Sequence, residues 1–267
     1  MKIFKDLFTR FFYSVKPVFW IAYYSFLEAL RNRLLLGIFC LIIPLIAGAK
    51  VLDVYQFGQV KMIKDLGLFA TSIFGLLIVF ILSFEQIIPD IEKKSVYFIL
   101  SRMGSRNSYI LGRYLGIIAT LTFYNTIMTV FLIVLLKFYS SYWFLELISA
   151  MAIYLLKQSL LTSMIVLFAT FTSRIVVTSL GIFFYAIGHS YDFIRMFFES
   201  RENPTLMFLF EAVVFFFPDF SLFEPRLRVV HDIPIAPQAM LLVLLYSVFF
   251  SLFYLGVGGK ILSRKDL

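Results

Sequence analysis

Six stretches of this 267-residue chain run for sixteen residues or more with at most one charged side chain each. They are Leu34–Ala49, Leu66–Phe84, Tyr114–Leu136, Leu147–Phe171, Ile175–Tyr191 and Gln238–Gly258, and the one interruption is Lys157. About 20 apolar residues cross the hydrocarbon of a bilayer as a helix, so each run is read as a span. The first reaches full length if Lys50 snorkels to the interface, and the fifth continues towards Phe198. The spans then fall at about 34–52, 66–88, 110–136, 143–171, 175–198 and 238–259. A membrane β-barrel needs alternating apolar and polar residues, and these continuous runs exclude it. The fold class that follows is an all-α membrane protein with six transmembrane helices.

Composition excludes the soluble alternatives. Hydrophobic residues make up 61% of the chain and charged residues 15%, against roughly 25% charged in a typical soluble domain. The single cysteine, Cys40, excludes a disulfide framework and any cysteine-based metal site. Two histidines, His189 and His231, are too few for the four axial ligands of a two-haem membrane cytochrome. The net charge of +8 does not call for nucleic acid, because its distribution has a simpler cause. With the amino terminus inside, the inner segments hold 15 basic residues and the outer segments 8. That bias puts both termini in the cytoplasm and the chain in the cytoplasmic membrane. Ala47-Gly48-Ala49 resembles a signal-peptide cleavage site, but 33 residues with six basic side chains precede the run, far beyond a usual n-region.

Residues 1–33 form a unit ahead of the transmembrane domain at 34–267. Ile3, Phe4, Leu7, Phe8, Phe11 and Phe12 share one helical face, which predicts a basic amphipathic helix at the membrane surface. Val18–Arg33 predicts a second, elbow helix in the interface, with Ser25, Glu28 and Asn32 at i, i+3, i+7. The alternative is a polar stripe buried by the first span. After the second span, Pro89 is expected to break the helix and Asp90 to cap a new one with Glu92 in its first turn. Lys93, Lys94 and the apolar set Val96, Ile99, Leu100 and Met103 follow, with Arg102 beside them. Gly104 offers a stop. Such a short helix suits either docking of a soluble partner or the membrane interface. Thr205–Phe217, apolar apart from Glu211 and followed by Pro218, is too short to cross and predicts a re-entrant or surface helix between spans five and six.

Lys157 stands near the middle of the fourth span, where an ionisable residue suggests function. Glu146 is eleven residues earlier, about 16 Å away along the axis, too far to pair with it. Lys157 is therefore expected to reach another helix or a polar cavity, with Gln158 beside it; a snorkelling structural lysine is the alternative. Asp192, Arg195 and Glu199 suggest a local ion network. The chain holds no H-E-x-x-H, no G-x-x-x-x-G-K-[ST] and no G-x-S-x-G, so no enzyme activity and no resident cofactor is expected.

The order of these features resembles the permease subunits of type-2 ABC exporters, over about residue 18 to the end. The elbow ending Ala29-Leu30-Arg31-Asn32-Arg33 carries the resemblance, as does Glu92-Lys93-Lys94-Ser95 leading to Leu100-Ser101-Arg102 and Ser105-Arg106. Leu111-Gly112-Arg113-Tyr114-Leu115-Gly116, Phe217-Pro218-Asp219-Phe220 and the final Ser263-Arg264-Lys265-Asp266-Leu267 fit the same pattern. The branch that includes permeases linked to copper-enzyme maturation is the nearest. Met103 stands where a proline is common, and Arg113 where a lysine is. The resemblance implies two permease chains and two cytoplasmic ABC ATPase subunits, which would bind the ATP and magnesium. It makes Asp90–Met103 the coupling helix that docks the ATPase, Lys157 and Gln158 candidates for the transport path, and Glu211 and Pro218 part of an outer gate. The competing classes are a stand-alone membrane enzyme, a secondary transporter, and a regulatory or assembly subunit. A secondary transporter usually shows paired broken helices at the midplane.

Overall fold

A helix that is apolar on every side belongs in the middle of a bundle, and Glu146–Ala169 is such a helix. The computed structural model describes residues 2–33, 37, 59–92, 106–137, 146–199 and 217–264, and all the regular structure among them is helical. In chain order these are α1 (Lys2–Leu30), α2 (Gln59–Leu82), a π-helical turn (Ser83–Ile87), α3 (Ile88–Glu92) and α4 (Arg106–Lys137). They continue with α5 (Glu146–Ala169), α6 (Arg174–His189), α7 (Tyr191–Glu199), α8 (Arg226–Val230) and α9 (Pro237–Arg264). From Gln158 to Ala169 every side chain of α5 is buried. Around it pack α2, α4, α6 and α9, while α1 lies along α4.

Four helices are long and apolar enough to cross a membrane: Val60–Asp90, Arg106–Lys137, Glu146–Ala169 and Pro237–Arg264. They mark the chain as a membrane protein and correspond to four of the six expected spans. The first expected span, 34–52, lies outside the described residues, apart from Gly37. So do the coupling segment from Lys93 to Met103 and nearly all of the re-entrant helix at 205–217. The fifth span, expected unbroken over 175–198, is divided at Ser190. Its first part, α6, has 16 residues, about 24 Å, short of the roughly 30 Å of hydrocarbon. A distant segment meets the chain at the break. The Phe220 amide donates to the Gly188 carbonyl at 3.0 Å, an acceptor that an unbroken helix would offer to residue 192.

Two other expectations are corrected. The amphipathic and elbow helices of residues 1–33 are one continuous helix, α1, which runs through Pro17. Pro89 does not break the second span, and Asp90 lies inside the helix that continues from it. The helix widens into the π turn just before Pro89, with the Ile88 amide bonded to the Ser83 carbonyl, and continues as α3. A wider turn relieves the clash that a proline ring makes with the preceding turn.

Glycines set how closely the helices approach. A Cβ on Gly112 would lie 2.6 Å from Ile21 Cβ, and one on Gly116 would lie 2.4 Å from Ser25 Cβ and 2.8 Å from the Ala22 carbonyl oxygen. Gly112 and Gly116 are four apart, the small-residue spacing that lets membrane helices touch backbone to backbone. On α9 the buried positions include Ser247, Ser251, Gly258 and Gly259, again small; Ser247 and Gly258 face α5, and Gly259 faces Asn107 of α4. The bundle has two distinguishable ends. Arg106 donates to the carbonyls of Leu262 (2.6 Å) and Ser263 (2.9 Å), and Arg113 and Arg174 lie at this arginine end. Residues 217–236 fold over the far end.

Candidate functional site

Lys157 is 1% exposed, eleven residues or about 16 Å inside the far-end start of α5. Taking an ammonium out of water carries a penalty of several kcal/mol unless a partner offsets it. The partner is Glu224, whose Oε2 lies 3.2 Å from Lys157 Nζ. The Tyr185 ring of α6 supplies a second contact, its centroid 5.3 Å from Nζ. Tyr185 in turn stacks on His189 and tilts against Phe220. The sequence expectation is a partner on another helix or a polar cavity, with Glu146 too far to pair; the acidic partner instead lies outside any helix. Sequence reasoning did not find Glu224.

Glu224 sits on no spanning helix. It belongs to residues 217–225, which dip between α5, α6 and α9 and are held by a set of short-range bonds. Phe217 stacks on Phe184 at 4.3 Å, and Phe220 and Phe223 are fully buried. The Asp219 amide donates to the Tyr246 hydroxyl at 2.8 Å. The Ser221 amide and hydroxyl both donate to Asp219 Oδ1, at 2.8 and 2.7 Å. Burial pushes the Asp219 carboxyl above its usual range, and the two bonds from Ser221 pull it part of the way back. Pro218, expected at an outer gate, meets Gly188: a Cβ there would lie 2.3 Å from the Pro218 carbonyl oxygen. Only glycine admits this approach. Glu211, its expected companion, lies outside the described residues.

Beyond Glu224 the same segment grips α2. Arg226 Nε lies 3.3 Å from Asp65 Oδ1, and its guanidinium sits over the Phe69 ring. The buried Lys64 pairs with Asp232, which takes a left-handed backbone angle of φ 57°, a conformation that aspartate tolerates better than most residues. Residues 217–236 are thus bonded to α2, α5, α6 and α9.

Gln158, expected to share a path with Lys157, is turned elsewhere, since successive helical residues differ by about 100°. It accepts from Asn125 Nδ2 of α4 at 2.7 Å and its amide lies against Gly75 of α2. It belongs to the packed junction of α2, α4 and α5.

A second polar cluster occupies the arginine end. Arg113 of α4 reaches Asp90 through Nη2 (2.5 Å) and Nε (3.0 Å), and Glu28 of α1 through Nη1 (2.7 Å). Tyr109 donates to the same Asp90 oxygen at 2.7 Å. Ser25 donates to Gln86 at 2.5 Å, and Asn32 bonds Glu85. All three residues of the predicted polar stripe, Ser25, Glu28 and Asn32, are engaged by the end of the second span and by α4; the first span lies outside the described residues. Asp90, expected on a docking face, is occupied within the chain. Glu92 ends α3, and Lys93, Lys94, Val96, Ile99, Leu100, Arg102 and Met103 lie outside the described residues. The Gly112-x-x-x-Gly116 spacing was the readable signal for this junction, and the sequence reasoning did not use it. Among the described residues no group of three or more His, Cys, Asp or Glu is placed to hold a metal ion. No protein-family model matches the chain, and no curated protein is significantly similar to it.

Proposed function

We propose that the chain is the transmembrane permease subunit of an ATP-driven exporter, paired with a second permease chain and served by separate cytoplasmic ATPase subunits. In this reading the arginine end faces the cytoplasm, in keeping with the basic bias of the sequence. The observation that carries it is the Arg113 cluster. A connection that relays a partner's motion must hang from a point where several helices move together. Residues 93–105 join α3 to α4, and both anchors of that connection meet in the cluster: Asp90 near the end of α3 and Arg113 two turns into α4. Glu28 ties α1 to the same guanidinium. A push on the connection moves α1, α2 and α4 as one body. ATP and magnesium belong to the partner, and this chain supplies the coupling and the path, with residues 217–225 as a plug at the far end.

A second reading, a secondary transporter, takes its support from the Lys157–Glu224 pair, since ionisable pairs inside membranes serve as ion relays. One experiment separates the two. The tagged chain is extracted in mild detergent and its co-purifying proteins are identified. An ATPase subunit that travels with it, and is lost on Leu100→Asp, supports the exporter. Burying a leucine-sized side chain is worth about 1.5–3 kcal/mol, and an aspartate there adds a buried charge. A chain that purifies alone and drives uptake on a proton gradient in vesicles would end the exporter reading.

A further inference from the structure

Glu224 also lines a cavity of about 280 Å³ at the far end of the bundle. Its apolar lining includes Ile153 of α5, Leu222, and Ala239, Met240 and Val243 of α9. The lining also carries charge of both signs: Asp192 of α7, Glu224, and Arg228 of α8. Lys157 neutralises Glu224 from within the bundle, which leaves one carboxylate and one guanidinium facing a shared space. A purely anionic guest would be repelled by Asp192, and a purely cationic one by Arg228.

We infer that this cavity binds a zwitterionic amphiphile, a molecule with an ammonium and a phosphate in its head and an apolar tail. The ammonium faces the Asp192 carboxylate, and the phosphate faces the Arg228 guanidinium, which suits phosphate oxygens in a bidentate fashion. Size limits how much of the guest is enclosed. Ligand pockets run from about 300 to 1,000 Å³, so a cavity at the lower edge holds the head and the first methylenes. The rest of the tail lies over the apolar surface of α9 beyond Met240 and Val243, where Leu244 is exposed. The inference stands apart from the exporter reading, because it needs neither an ATPase nor transport.

The same head chemistry could come from a bilayer phospholipid or from a soluble zwitterion, and the test has an arm for each. The full chain, purified in a maltoside detergent, is titrated with short-chain phosphatidylcholine and with phosphatidylglycerol of equal chain length. An alkyltrimethylammonium and free phosphocholine complete the series, and bound molecules are counted by native mass spectrometry. The expected result is one phosphatidylcholine bound at least tenfold tighter than any of the other three. Asp192→Asn and Arg228→Gln should each weaken it about tenfold, and Val243→Trp, which fills the cavity, should abolish it. Leu242→Trp, on the exposed face of α9, should change nothing. Equal affinity for the three amphiphiles, or full binding to Val243→Trp, means lipid bound only at the general surface and overturns the proposal. Free phosphocholine binding as tightly as the lipid overturns it too, since the apolar lining would then play no part. If Val243→Trp does not fold, Asp192→Asn, at an exposed position, carries the test alone.

Discussion

Lys157 and Glu224 lie 67 residues apart, and the cost of separating them falls mostly on the lysine. Glu224 keeps 30% of its side chain in reach of solvent and can be rehydrated; Lys157 cannot. Removing one partner of a buried pair costs about 3–5 kcal/mol, and the partial exposure of Glu224 makes this an upper bound here. Glu224→Gln should therefore lower the thermal stability of the purified chain clearly. Lys157→Leu combined with Glu224→Gln should recover most of the loss, because the leucine leaves no bare charge behind. If the double variant is no more stable than Glu224→Gln alone, the pair does not account for the burial of the lysine. Lys157 was legible in the sequence because it is the one charge in a 25-residue run. Glu224 was not: it lies in a loop, where no periodicity says which way a side chain points. Gly188 was equally hidden, since a glycine in an apolar helix has many possible reasons and only the Pro218 carbonyl identifies this one.

At the scale of elements, the contact of α1 with α4 depends on absent side chains as much as on present ones. Gly116 leaves no room for a Cβ beside Ser25 and the Ala22 carbonyl, so Gly116→Leu must push the helices apart. Overpacking of this kind costs about 1–3 kcal/mol, and here it also pulls Glu28 from Arg113 and Ser25 from Gln86. The expected outcome is a chain that still inserts but whose amino-terminal helix becomes readily cleaved by protease. An unchanged cleavage pattern would mean that α1 is held by contacts other than this seam. The ends of helices were harder to read than their existence. Of the two corrected boundaries, the one at Ser190 lies where a backbone carbonyl meets another element, and the one at Pro89 where a wider turn accommodates the proline ring. Pro17 and Pro89 are each carried through a helix, which a rule applied to one segment alone does not foresee.

The whole molecule is a bundle with one buried axis, α5, and two differently built ends, the arginine end tied by Arg113 and the far end closed by residues 217–236. If the basic bias sets its direction, a Cys40→Ala background with cysteine at His231 should react with an impermeant maleimide added to intact cells. Cysteine at Ser101 should react only after the cells are opened. Labelling in the opposite sense would reverse the orientation. The helical, membrane-embedded character was legible from run lengths alone, because about 20 apolar residues have few other solutions. Which faces meet was not, because the apolar helices are nearly uniform around their circumference. The π turn at Ser83–Ile87 adds one more property of the assembly, a sensitivity of phase. It holds one residue more than an α turn would, so everything after it is advanced by about 100° around the axis. Deleting Phe84 would restore an ordinary helix and swing Asp90 away from Tyr109 and Arg113. The bonds of Asp90 to Tyr109 and Arg113 would then be lost, and the purified deletion variant should unfold at a clearly lower temperature than the parent; an unchanged melting temperature would mean that the phase of this helix does not matter. A chain with this arrangement can absorb a change of length between its helices far more readily than the loss of a single residue within the second one.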